Sequence, residues 1–254
     1  MCTLVIDYRP GARVPLLMAA VRDEFTDRDW APPAPHWPDH PRLIGGRDLR
    51  AGGTWLAVDP ETRRAGCVLN GRGRMADADV RRSRGVLPLL AATGGLDDLD
   101  PAPYDPFHLV SAAIGDTATI EMLSWNGRTA TRRTIGPGTH VVVNTGLDPD
   151  EPRAARFGPL FAAAPRPDPR PSETTEAAWK PWLSLVEGDG LPLDDPSALI
   201  VRRVLGPGHP TVPAAVGKVY GSTSVTLLAL RPDGVRYDFC ADPARPAWTP
   251  VLRG

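Results

Sequence analysis

The 254-residue chain has little cysteine: Cys2, Cys67 and Cys240 only. Three scattered thiols make neither a disulfide framework nor a zinc cluster. Lysine is nearly absent, with Lys180 and Lys218 standing against 27 arginines. Together with 30 prolines and 25 glycines, this bias points to a GC-rich, bacterial coding sequence rather than to a function. Charge of one sign is not in excess. Lys+Arg number 29 and Asp+Glu 30, a formal net charge of -1, which removes the electrostatic case for nucleic acid or an anionic membrane as partner. No apolar run approaches the ~18 residues that a spanning helix needs. The opening MCTLVIDYRP has no basic segment before its apolar run, so no signal peptide is read and the expectation is a cytoplasmic protein. No internal repeat and no dividing linker are seen. What the chain does have is 42% hydrophobic and 23% charged residues, the balance of a globular protein with a real core.

The pattern along the chain is sheet-rich with helices in the middle. Cys2–Tyr8 and Val14–Val21 read as strands of a hairpin around the turn at Arg9, Pro10 and Gly11, although LLMAAVRDEF also suits a short helix. The proline-rich 27–48 segment reads as a surface loop. GGTWLAVDPETRRAGCVLN reads as strand, turn, strand. Ala76–Leu90 reads as a helix stopped by Gly94-Gly95. Three strands follow over 107–114, 117–125 and 129–134, the last two joined at Asn126-Gly127, a strong hairpin signal. HVVVN (140–144) is a further strand, and 148–170 reads as irregular. Ser172–Glu187 reads as a helix capped by Ser172, and 195–205 as a second short helix. The chain closes on strands over 224–230 and 235–240. The expected class is α+β or layered α/β in one domain.

Cys2 carries the sharpest chemistry. Removal of Met1 would leave cysteine at the N-terminus, with thiol and free α-amine on one residue. The reference pKa values, ~8.5 for the thiol and ~7.7–8.0 for the amine, let the amine take the thiol proton at little cost. The plain alternative is a small apolar residue opening a strand. VRDEF (21–25) ends the second strand of the hairpin, which returns it near residue 2. Arg22 there would favour the thiolate and lower the Cys2 pKa, and Asp23 could hold the α-amine. The plain alternative is an ordinary charged strand end.

These elements together resemble the NRDE family, also called the Transport and Golgi organisation protein 2 family. The resemblance lies in MC at the start, VRDEF with Val21 in place of the motif's Asn, GRD at Gly46, Arg47 and Asp48, GGTW at Gly52–Trp55, and VLN ending at Asn70. YGSTSVTLLALRPDGVRYDF is similar to the family's C-terminal hairpin. The likeness is dense over 1–75, thinner around 104–146 and 218–239, and absent from 148–215, which is expected to be a partly helical insertion that walls the pocket. The family is similar to N-terminal nucleophile hydrolases. That implies a four-layer αββα sandwich with antiparallel sheets, Cys2 at the head of an inner strand, and Arg22 and Asp23 beside it. It also implies an oxyanion-hole role for Asn70 and a second asparagine near the nucleophile, Asn144. Carboxamide N–H donors suit a developing oxyanion; a turn-forming strand end is the alternative for each asparagine. One departure stands out. Where the pattern has an arginine after Tyr-Gly, Tyr220-Gly221 is followed here by Ser222, Thr223 and Ser224, so another arginine substitutes or the machinery is incomplete.

The function implied is a cysteine amidohydrolase or acyltransferase acting on a small amide or acyl substrate. The alternative is a non-catalytic carrier of haem or a lipid-like metabolite, with Cys2 a soft ligand or a relic. No cofactor and no metal site are expected; His36, His40 and His209 lie in loops without ligand spacing. His108 and His140 are expected to be hydrogen-bonded sheet residues, Trp179 and Trp182 core residues, and Cys67 and Cys240 buried hydrophobes. Trp30 and Trp37 are candidates for a pocket mouth, and GRGRM (71–75) is a weak candidate for holding an anion.

Overall fold

The computed structural model describes residues 2–115, 117–206 and 216–254. Met1 and His209, named above, lie outside them. The chain opens with β1 (Thr3–Tyr8) and β2 (Leu16–Phe25), the expected hairpin. A small two-stranded ribbon follows, β3 (Trp30–Ala34) and β4 (Gly45–Asp48). It replaces the expected loop: prolines that cannot donate to a sheet interior are tolerated in so short an edge ribbon. Next come β5 (Leu56–Asp59) and β6 (Arg64–Asn70), then a single 3-10 turn over Arg84–Val86 and α1 (Leu87–Thr93). The helix read over Ala76–Leu90 is therefore corrected. Pro88 fits only a first helical turn, so α1 cannot begin far before it, and Gly94 at φ 80° ends it.

β7 (Phe107–Ile114), β8 (Ala118–Trp125) and β9 (Ala130–Thr134) form the expected meander, and β10 (Gly138–Val142) follows. The segment read as irregular instead contains α2 (Pro152–Ala163). Glu151 caps it, its carboxylate accepting from the Arg153 and Ala154 N–H groups, and Pro152 again takes a first-turn position. The helix read from Ser172 is two pieces, α3 (Thr175–Ala178) and α4 (Lys180–Val186). Its cap is Thr174, and Pro181 restarts the chain after Trp179. The helix read over 195–205 is absent: Arg202–Val204 is strand β11, paired to the last long hairpin. That hairpin is β12 (Val219–Arg231) with β13 (Gly234–Cys240), and an unanticipated edge strand, β14 (Trp248–Arg253), completes the sheet.

The strands assemble into two main antiparallel sheets. One has order β10-β1-β2-β12-β13-β14 with β11 on β12; the other runs β5-β6-β7-β8-β9. Alternation along each strand sorts the side chains to two faces. Leu4 and Ile6 of β1, with Leu16, Met18 and Ala20 of β2, pack against Leu56, Val58, Cys67, Val110 and Ile120 of the second sheet. Their neighbours Val5, Leu17, Ala19 and Val21 face the other way, onto Phe157 and Phe161 of α2 and Trp182 and Val186 of α4. The outer face of the second sheet is covered by α1 through Leu87, Ala91, Leu89 and Ala92. The order is thus helix, sheet, sheet, helix: the four-layer αββα sandwich that the resemblance implied. Trp179 and Trp182 are buried in the helix-side core, rings 6.1 Å apart. Cys67 and Cys240 are buried. Among the described residues, no helix is long and apolar enough to cross a membrane.

Candidate active site

The β1–β2 register pairs Thr3 with Val21, so the next step sets Cys2 against Arg22. Residues directly opposite on an antiparallel pair share a face. Here it is the face between the two sheets, because Leu4 and Ala20 beside them lie in the inter-sheet core. Cys2 and Arg22 open there onto a cleft of about 360 Å³. Asp23, one residue on, must point the other way. Its carboxylate accepts from Arg153 Nη1 of α2 at 2.7 Å and from Ser222 Oγ of β12 at 2.6 Å. Asp23 still meets the cysteine through its main chain: its carbonyl accepts from the Cys2 thiol at 3.8 Å and from the Tyr220 hydroxyl at 3.2 Å.

A bulge completes this wall. β12 pairs with β2 through Ser222 opposite Asp23 and Ser224 opposite Arg22, leaving Thr223 as the extra residue. A bulge breaks the alternation and re-aims side chains. Ser222 thereby serves the Asp23 carboxylate, while the Thr223 hydroxyl accepts from Arg22 Nη1 at 2.8 Å and donates to the Arg22 carbonyl at 3.2 Å. Thr223, in the segment that follows Tyr220-Gly221, is thus a partner of Arg22.

The guanidinium of Arg22 lies 4.4 Å over the Trp55 ring and 3.4 Å from Asp48. Asp48 also takes two hydrogen bonds from Arg28, at 2.5 and 3.1 Å. The close approach of Trp55 depends on Gly46, where a Cβ would come within 2.3 Å of the indole. GRD and GGTW therefore act together: the first supplies the acid and the gap, the second the ring that fills it. Arg22 pulls the Cys2 pKa down, as expected, but the net shift is upward, because burial pushes the thiol above its ordinary value and outweighs that pull.

The remaining candidates divide. Asn70, at the exposed end of β6, lines the cleft, and no protein group among the described residues hydrogen-bonds its carboxamide. Asn144 does not line the cleft; its Oδ1 accepts from the Cys2 main-chain nitrogen at 3.2 Å. Trp30 and Trp37 do not line it either. Trp30 packs edge-on against Trp55, and Trp37 Nε1 donates to the Gly52 carbonyl. Arg74 of GRGRM pairs with Asp77 outside the cleft. His108 meets Ser124 across the sheet at 2.8 Å and His140 meets the Gly136 carbonyl at 2.9 Å, as sheet residues would. Among the described residues no group of three His, Cys, Asp or Glu is placed to hold a metal ion.

Asp48, Trp55, Arg28, Arg84 and Arg153 were not singled out as site residues. GRD and GGTW, already quoted as motifs, were a usable signal for Asp48 and Trp55. Arg153 sits on a helix that the proline content disguised, 130 positions from its partner.

The family model described as Transport and Golgi organisation 2 matches residues 1–240. No curated protein matches. Among solved structures, a penicillin V acylase from Agrobacterium tumefaciens is similar at 12% identity and TM-score 0.45, covering 98% of this chain and 86% of that one. A mutant conjugated bile acid hydrolase from Clostridium perfringens is similar at 8% identity and TM-score 0.47, covering 99% and 97%. With its family model spanning all but the last strand, the chain belongs to the Transport and Golgi organisation 2 family.

Proposed function

We propose that the protein is a cysteine N-terminal nucleophile amidohydrolase or acyltransferase acting on a small amide or acyl substrate. Removal of Met1 turns the Cys2 nitrogen into an α-amine, held by Asn144 Oδ1. The observation that carries the reading is the half-buried Cys2 on a cleft it shares with Arg22 and Asn70. Burial keeps the resting sulfur protonated, so attack requires a base within reach, and the α-amine of the same residue is one. As the amine takes the proton, the sulfur bonds to the substrate carbonyl carbon and Arg22 stabilises the forming anion. The Asn70 carboxamide, which has no hydrogen-bond partner among the described residues, donates to the oxyanion. The ammonium returns its proton to the departing amine as the acyl–nitrogen bond breaks. Water or an acceptor amine then releases the thioester. Asp23, clamped by Arg153 and Ser222, positions the cysteine through its main-chain carbonyl.

The cleft lining suits this reading better than a lipid carrier. Arg22, Arg28, Arg81, Arg82 and Arg84 face it and give an acyl chain little apolar wall.

The test is intact mass after exposure to a slow acylating ester. Untagged protein is expected to lack one methionine residue and to gain one acyl group. Cys2→Ala and a form with an uncleaved N-terminal tag are expected to gain none. Equal acylation of all three forms overturns the reading. Addition of haem tests the carrier: a Soret band that disappears in Cys2→Ala would favour it.

A further inference from the structure

The cleft holds more positive charge than its acids neutralise. Of the five arginines that line it, Arg28 and Arg22 share Asp48, Arg28 also meets Glu24 at 3.9 Å, and Arg81 pairs with Asp105 at 3.2 Å, while the Asp23 carboxylate is taken by Arg153. Among the described residues, no carboxylate lies within ion-pair distance of Arg82 or Arg84, both of which line the cleft. Arg82 is exposed at the rim; Arg84 is half-buried.

Arg84 is also held in place. Its Nη1 donates to the Pro106 carbonyl at 2.7 Å. The turn that bears it is clamped to the GGTW segment, with Thr54 N–H donating to the Gly85 carbonyl at 2.8 Å. Gly53 and Gly85 touch so closely that a Cβ on Gly53 would lie 2.4 Å from the Gly85 carbonyl carbon. A guanidinium offers five N–H donors in a planar fork, and the carbonyl of Pro106 satisfies one of them. Burial lowers the Arg84 pKa while Asp105 and Cys2 pull it back; the group stays cationic and lies within electrostatic reach of the thiol. A partly desolvated, fixed cation without a counter-ion is stabilised by an incoming anion.

We propose that Arg84, with Arg82 at the rim, binds an anionic group, carboxylate or phosphate, of the substrate whose carbonyl is delivered to Cys2. The inference rests on the nucleophile reading above and names its substrate class: a compact anionic amide or acyl compound, of a size that a cleft of about 360 Å³ admits.

Two measurements on the untagged protein test it. In the first, inorganic phosphate and succinate are titrated calorimetrically at constant ionic strength. Binding of one or both is expected, weakened about tenfold in Arg84→Gln and less in Arg84→Lys, which keeps the charge but not the fork. The stronger of the two anions identifies phosphate or carboxylate as the group read. In the second, Cys2 is alkylated with iodoacetate and with neutral iodoacetamide, which attack the sulfur alike and differ in charge. The iodoacetate-to-iodoacetamide rate ratio is expected to fall about tenfold in Arg84→Gln. It should also fall with added salt in the unmodified chain, and stay unchanged in Arg245→Gln, on the exposed surface. Taking the ratio removes the general effect of a lost cation on thiolate formation. If Arg84→Gln does not fold, the salt dependence and Arg82→Gln decide. Anion binding and a rate ratio both indifferent to Arg84 overturn the inference and leave the nucleophile reading intact. Arg84-dependent anion binding with no alkylation of Cys2 by either reagent overturns the nucleophile reading and upholds the anion site.

Discussion

Two arginine–aspartate pairs lie on the helix-facing side of the same sheet, both with no solvent exposure and both closed at 2.7 Å: Arg236–Asp238 and Arg153–Asp23. Their surroundings differ. Asp238 takes Nε and Nη2 of Arg236, the hydroxyl of Thr175 and the indole N–H of Trp179. Arg236 in turn donates to the carbonyls of Arg170 and Glu173. The bonds that leave this pair tie β13 to Thr175 and Trp179 and to the segment just before α3. Asp23 divides its contacts. The carboxylate ties α2 and β12 to β2, and the main-chain carbonyl touches the Cys2 thiol. The same buried ion pair thus fastens a helix layer in one place and the strand beside Cys2 in the other. Chemistry of the pair does not distinguish them; what the aspartate's strand borders does.

The comparison can be broken by experiment. Asp238→Ala carries the largest expected effect. It strands a buried guanidinium at a cost of about 3–5 kcal/mol, or about 10 °C in melting temperature for a chain of this size, while the pH midpoint of Cys2 alkylation in the folded fraction stays put. Asp23→Asn should cost about 3 kcal/mol by the same reasoning and also move that midpoint to lower pH, because the Asp23 charge raises the Cys2 pKa. A midpoint unmoved by Asp23→Asn would make the two pairs equivalent. Ser222→Ala removes the 2.6 Å bond to Asp23 and the acceptor of the Val201 N–H; a loss of about 2 kcal/mol in denaturant melts is expected. Arg22→Gln should be the mildest for stability, about 1 kcal/mol through its stacking on Trp55. Its chemical effect has the opposite sign to Asp23→Asn: a cation that lowers the thiol pKa is lost, so the alkylation midpoint rises. A downward shift would mean that Arg22 does not act on the sulfur.

Much of the sheet framework was legible along the chain because strand alternation and turn residues are local signals. The hairpin from Cys2 to Phe25, the meander through Asn126-Gly127 and the β12–β13 hairpin all fall where the pattern puts them. The helices were read less well. Proline content suggested irregular chain over 148–170, yet Pro152 stands at a first turn, where its missing N–H costs nothing. Within the site, the pairing of Cys2 with Arg22 followed from hairpin length alone. The Thr223 bulge did not, since one extra residue in a strand leaves no mark in an alternating pattern.

Composition and periodicity were enough for a sheet-rich α+β or layered α/β chain and hairpin length for Cys2 and Arg22 on one ribbon, because those inferences need only neighbours within a hairpin's reach; the family came from the resemblance carried by MC, VRDEF, GRD and GGTW. The sign of the Cys2 pKa shift, the pairing of Asp23 with Arg153 and the placing of Arg84 on the cleft that Cys2 lines required the folded chain. Each depends on desolvation or on contacts between segments tens of residues or more apart, and both arise only when the two sheets and their helices close around the cleft.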